Sequence, residues 1–146
     1  MIVLDTNVLS ELLRPAPDGR VLAWLGAQPR SALFTTTVIR AEILYGVGVL
    51  PEGARKQALL SATRAIFDED FAGQVLSFDN DAADAYAQIA ASRRARGKPI
   101  SQFDAMIAAV ARSRGAILAT RNVKDFVDCG IDVIDPWSQA GAHDRP

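Results

Sequence analysis

The sequence predicts an α/β domain with a mostly parallel central sheet of about five strands, and three observations point there. Short runs with β-branched content recur at Ile2–Leu4, Ala32–Thr35, Val75–Phe78, Ala116–Ala119 and Ile131–Ile134. Between them lie segments whose apolar residues repeat every three or four positions, the period of an amphipathic helix. Strands that alternate with helices are joined by crossovers, and crossovers join parallel neighbours.

Taken in order, the chain opens MIVLDTNVLSELLRP, where a buried-looking strand runs straight into Asp5 and the polar pair Thr6 and Asn7 before a second apolar segment, Val8 to Leu13. Residues 38–50 read as a helix, and Pro51 and Gly53 join it to the next. From Glu52 to Phe71, Leu59, Ala62, Thr63, Ile66 and Phe67 share one face, while Arg55, Lys56, Gln57 and Arg64 fill the others. From Asp79 to Arg96 the pattern repeats on Ala82, Ala85, Tyr86, Ile89, Ala90 and Arg93, and Gly97 with Pro99 just beyond ends it. An Ala-rich helix follows in SQFDAMIAAVARSRG, residues 101–115. We expect one ordered domain over residues 1–137 and a polar tail over 138–146.

Composition narrows the chemistry. The 146 residues are 49% hydrophobic and 23% charged, with no apolar run near the ~18 residues that span a bilayer. Met1 leads directly into the first strand with no basic or apolar leader, so a soluble, cytoplasmic protein without membrane association is expected. The single cysteine, Cys129, has no partner for an internal disulfide and reads as a buried thiol. The single histidine, His143, falls in the terminal GAHDRP. With one histidine so placed, histidine acid–base catalysis and any Ser-His-Asp or Cys-His arrangement are disfavoured. Net charge is −1, so binding of nucleic acid would need a local basic patch.

The carboxylates carry more information. Ligands of an open parallel sheet bind beyond the carboxyl ends of its strands, which is where Asp5 falls, although a short polar residue there also serves as a helix cap. Glu42 lies in a helix, TVIRAEILYGVGVL, whose only charges are Arg40 and Glu42; it faces either a solvent seam or a cleft. Gly46 and Gly48 complete no phosphate-binding motif. Asp104 stands three residues after Ser101, the spacing of a capping-box variant, and an acid in a first turn also gains from the helix dipole. In LATRNVKDF, residues 118–126, polar Thr120, Arg121 and Asn122 follow a strand, with Asp125 close behind; a turn or a local ion pair would account for them too. Each acid has an ordinary explanation singly. Their recurrence where four elements would meet at one sheet edge does not.

The segments LDTNVLSELL, TTTVIRAEILYGV, LPEGARKQAL, PISQFDAMIAA, LATRNVKDF and VIDPW, in this order over residues 2–137, resemble the PIN-domain ribonucleases, specifically the VapC-type toxins near the FitB plasmid-stability branch. The resemblance implies a three-layer α/β/α sandwich. It implies an endoribonuclease toxin that hydrolyses RNA phosphodiester bonds with Mg²⁺ or Mn²⁺. It also implies a homodimer and a hetero-oligomer with a VapB-type antitoxin, which inserts a basic side chain among the acids. The family's three main acids fall on Asp5, Glu42 and Asp104. The fourth acidic position departs from the pattern: Asn122 occupies it, with Asp125 three residues on. Thr6, Asn7 and Thr120 match the family's polar supporting shell.

The chemistry is consistent with the composition, since Mg²⁺ takes oxygen ligands, one or two of them carboxylates and the rest water or phosphate. Three carboxylates at ~6 Å separations and an effective dielectric near 20 would repel by ~8 kcal/mol in all, so protons, water or a cation must offset them. Asp5 and Asp104 are expected as direct ligands and Glu42 through water or as the group orienting attacking water. Candidate RNA contacts are Arg14, Arg93, Arg94, Arg121 and Lys124. Two alternatives remain at this stage: a DNA nuclease on the same fold, and a receiver-like phosphoacceptor domain with Asp79 as acceptor.

Overall fold

The computed structural model describes residues 1–138. Its strands are β1 (Ile2–Leu4), β2 (Leu33–Thr36), β3 (Val75–Leu76), β4 (Ile117–Ala119) and β5 (Val133–Ile134), each within two residues of the runs predicted. Six helices accompany them: α1 (Thr6–Leu12), α2 (Gly19–Gly26), α3 (Thr37–Gly48), α4 (Ala54–Ala65), α5 (Asn80–Ala95) and α6 (Gln102–Ser113). Helix α4 ends in a wide π turn over Ile66–Asp70, where one continuous helix is predicted. The expected tail and His143 lie outside the described residues, Ser138 apart.

One element, α2, goes unrecognised in the apolar spacing. It is only eight residues long, and its start depends on a local device: the Asp18 side chain accepts a hydrogen bond from Arg20 N at 2.8 Å and so caps the first turn. Val21 and Trp24 then enter the core.

All neighbouring strands pair in parallel, in the order β3-β2-β1-β4-β5. Ile2 of β1 stands level with Leu33 of β2 on one side and Ile117 of β4 on the other, so every strand ends at the same edge. The chain steps from β1 through β2 to β3, then returns across the sheet to β4. Because such crossovers are right-handed, α1–α4 and α5–α6 cover opposite faces and give the three layers predicted. The reversal of direction occurs at β1, and the crevice beyond its carboxyl end is the ligand position of this topology.

Burial on both faces explains why the central strands are apolar throughout: Val3, Leu4, Leu118 and Ala119 are fully buried. Small residues bring α5 and α6 close together, with Ala82 and Ala85 on one helix and Ala105, Ala108, Ala109 and Ala111 on the other all buried. No helix among the described residues is long and apolar enough to cross a membrane.

Candidate active site

Asp5 is the first residue past β1, and its backbone N–H still donates to Ala119 O of β4 at 2.9 Å. This continuation of the sheet ladder fixes where its side chain starts. Its dihedrals are extended, as an N-cap requires, and Oδ1 accepts from Thr6 N at 2.8 Å. Capping therefore accounts for one oxygen. The other, Oδ2, turns inward and accepts from Thr120 Oγ1 at 2.7 Å and from Asn7 Nδ2 at 3.5 Å. The residue is 4% exposed. Burial pushes its pKa up to about 6 against the pull of the Thr120 and Thr6 hydrogen bonds, and the charges of Asp104 and Glu42 raise it further.

Thr120, fully buried past the end of β4, is the hub of the polar shell. Its hydroxyl donates to Asp5 and accepts from Asn7 Nδ2 at 3.1 Å and Asn122 N at 3.1 Å, which uses all its hydrogen-bonding capacity. Asn7 closes the ring by accepting from Arg121 N at 3.2 Å. The β1–α1 junction and the segment after β4 are thereby tied together through three side chains.

Glu42 enters from α3, half-buried, and Thr6 Oγ1 donates to its Oε1 at 2.7 Å. The structure thus chooses between the two readings of the sequence: Glu42 faces the cleft. Asp104 lies in the first turn of α6, where Ser101 Oγ accepts from Asp104 N at 3.2 Å, the predicted cap. Burial is the main cause that raises its pKa; the charges of Asp125 and Glu42 add to this, while Ser101 and Arg93 pull the other way. Asp5 therefore lies in the fields of Asp104 and Glu42, and Asp104 in those of Glu42 and Asp125, at one edge of the sheet.

Around this centre are two recesses. One, of about 690 Å³, begins at Thr6 and Glu42 and runs between α1, α3 and α4 along Leu13, Ile43, Val47, Leu50 and Leu59, with Arg14 and Arg55 at its rim. The other, of about 410 Å³, is polar and is lined by Arg121, Asn122, Val123, Lys124, Asp125 and Asp135. Arg14 pairs with the buried Glu11 at 3.1 Å, and Arg121 stands over the Trp137 ring at 5.0 Å. Lys124 and Arg94 are exposed.

One expectation and one alternative fail. Arg93 is not a rim cation for RNA: it is 7% exposed, because its guanidinium is drawn inward by the carbonyls of Lys98, Asp125 and Val127. Asp79 is not a phosphoacceptor at a sheet centre, since β3 is an edge strand; Asp79 caps α5 by accepting from Ala82 N at 3.0 Å and pairs with Arg114 at 3.2 Å. Two acids were overlooked. Asp135 follows β5 as Asp5 follows β1, so the same positional rule would have found it. Glu11 is 5% exposed, and only the tertiary packing of α1 reveals that.

The donor set suits a hard cation. The acids offer carboxylate oxygens, and among the described residues no histidine stands beside them. Among the described residues no group of three or more acidic, histidine or cysteine side chains is arranged to hold a metal ion by itself, so Mg²⁺ at this edge would take one or two of the carboxylates and complete its shell with water and phosphate.

The sequence matches the PIN domain family over residues 2–129. It is 40% identical over 140 residues to the VapC ribonuclease Y4jK of Sinorhizobium fredii, covering 96% of this chain and all of the relative. It is also 40% identical over 137 residues to the plasmid stability protein StbB of Pseudomonas syringae pv. tomato, covering 94% and 99% of the two chains. Among solved structures, a chain of FitAB bound to an IR36 DNA fragment superposes with a TM-score of 0.86 at 38% identity, covering 94% of this chain and 96% of that one.

Proposed function

The chain belongs to the PIN-domain family, and from that premise we propose that it is a VapC-type toxin, an endoribonuclease that hydrolyses RNA phosphodiester bonds with the help of Mg²⁺ or Mn²⁺. The observation that carries this reading is the buried Asp5 carboxylate at the switch point of the sheet, held among Glu42 and Asp104 by donors that fix its orientation. A helix cap needs neither that burial nor that company.

Asp5 and Asp104 are the residues to hold the cation, and Glu42 reaches it through water. When bound, a divalent ion supplies Lewis acidity toward the phosphate and lowers the pKa of bound water. Thr120, Thr6 and Asn7 keep the carboxylates in place while the substrate binds. Glu42, with Thr6 donating to one oxygen, presents the other to orient water. At the fourth position we favour Asp125 over Asn122, because Asp125 carries a charge and that charge reaches Asp104. Arg121 and Lys124, beside the acids, are placed to receive the RNA backbone.

The partner on this reading is an antitoxin encoded with the toxin. The apolar groove that starts at Glu42 suits an apolar segment of it, with a cation at its end entering among the acids. A homodimer is the expected toxin state, and residues 1–137 constitute the nuclease domain.

Purified protein is expected to cut a susceptible RNA with Mg²⁺ or Mn²⁺ and to stop in EDTA. Asp5→Asn and Asp104→Asn should each lower the rate by about a hundredfold or more with the fold intact by circular dichroism. Undiminished cleavage in EDTA or by either variant would falsify the reading; cleavage of DNA in preference to RNA would move the same site to the DNA-nuclease alternative.

A further inference from the structure

Arg93 is a buried cation that the proposed reaction leaves without a task. Among the described residues no carboxylate lies within ion-pair distance of it; its partners are main-chain carbonyls. Nε donates to Lys98 O at 2.7 Å, and one terminal nitrogen donates to Asp125 O and Val127 O, both at 2.9 Å, with Cys129 Sγ at 3.6 Å. Burying a guanidinium with no carboxylate in direct contact is costly even though its charge reaches Asp104, and an apolar side chain of similar volume would fill the space at less cost. Something other than packing calls for the arginine.

What the fork does is join two segments. Helix α5 ends in a Schellman motif: Lys98 N donates to Arg93 O at 2.9 Å and Gly97 N to Arg94 O at 3.0 Å, with Gly97 at φ 71°. Arg93 thus holds Lys98 through its own carbonyl and again through its side chain. Three residues after Lys98 the chain reaches Ser101, the cap of α6, and then Asp104. The other end of the fork holds the short 3₁₀ turn Val123–Phe126, which carries Asp125. That turn is followed by Asp128, a non-glycine residue in the left-handed region at φ 61°, where the chain turns toward Cys129.

We propose that Arg93 is a positioning residue of the acidic site: its guanidinium locks the α5–α6 turn to the 123–127 turn and so holds Asp104 and Asp125 over the same space. The inference rests on the nuclease reading for its purpose and on the hydrogen bonds for its mechanism. Lysine in its place would keep the charge but not the reach, since a single ammonium cannot satisfy carbonyls on both segments in the geometry of a fork. The nearby Arg96–Asp128 ion pair, 3.3 Å and largely exposed, joins the same helix end to the same loop and serves as the control.

The test compares wild type, Arg93→Lys, Arg93→Met and Arg96→Ala by Mn²⁺ titration calorimetry, by kcat and KM on a susceptible RNA, and by thermal melts that define where each variant is folded. Arg93→Lys and Arg93→Met should weaken Mn²⁺ binding about tenfold and lower kcat ten- to a hundredfold with KM nearly unchanged, the pattern of misplaced groups rather than lost substrate contacts. Arg96→Ala should stay within about twofold of wild type on each count. If Arg93→Met does not fold, Arg93→Lys carries the comparison. Wild-type Mn²⁺ affinity and kcat in Arg93→Lys, or an equal loss in Arg96→Ala, overturns the proposal. Failure of the ribonuclease reading itself would show differently, as wild-type protein that cuts no RNA while the Mn²⁺ titrations still separate Arg93 from Arg96.

Discussion

Asp5 holds its proton more tightly folded than unfolded, with a pKa near 6 against an ordinary 3.8. The sign follows directly. Well below pH 3.8 the acid is protonated in both states and costs nothing; as pH rises through 6 the folded state must carry a buried charge that the unfolded chain carries freely. Metal-free protein should therefore lose ~3 kcal/mol of stability between about pH 3 and pH 7 from this residue, a magnitude set by two pKa units. Asp5→Asn should recover part of it, so that urea midpoints at pH 7.5 in EDTA are higher for the variant than for wild type, and the advantage should be lost by about pH 3. An Asp5→Asn protein less stable than wild type at pH 7.5 would contradict the assignment.

At the scale of elements, Thr120 is the joint. The connections that follow β1 and β4 are held level by one hydroxyl with three hydrogen-bond partners: Asp5, Asn7 and Asn122 are all served from this atom. Thr120→Val keeps the shape but leaves Asp5 Oδ2 and Asn122 N short of a partner, at a cost of ~1–3 kcal/mol. Thermal or urea unfolding should show that loss and Thr120→Ser should restore most of it. Equal stability of the valine and serine variants would mean that packing, not the hydroxyl, matters here. The Arg93 fork performs the same service one layer out, between the start of α6 and the turn after β4.

For the molecule as a whole, a net charge of −1 means that affinity for a polyanion must arise locally. Arg121 and Lys124 lie on the polar recess beside the acids, whereas Arg14 is already paired with Glu11 and Arg93 is enclosed. Lys124→Ala should reduce the slope of log affinity for single-stranded RNA against log salt by about 0.7, the change for one phosphate contact. An unchanged slope would remove Lys124 from the interface.

Much of this was legible in the residues alone. Apolar runs spaced between helical segments pointed to five parallel strands and most of the helices, because burial on both faces of a sheet leaves continuous apolar runs in its strands. Strand ends followed by acids pointed to Asp5, and the Ser101 spacing pointed to the first turn of α6. The short helix α2 escaped because a local cap, not a long period, starts it. What only the tertiary structure decided was direction: which way Glu42 faces, that Glu11 is buried, and that Arg93, one of several similar arginines in SRRARGK, turns inward to grip carbonyls from a segment some thirty residues on. Periodicity records which positions meet the core, but the partner of a polar side chain is set by contacts distant in sequence, and those exist only once the chain has closed.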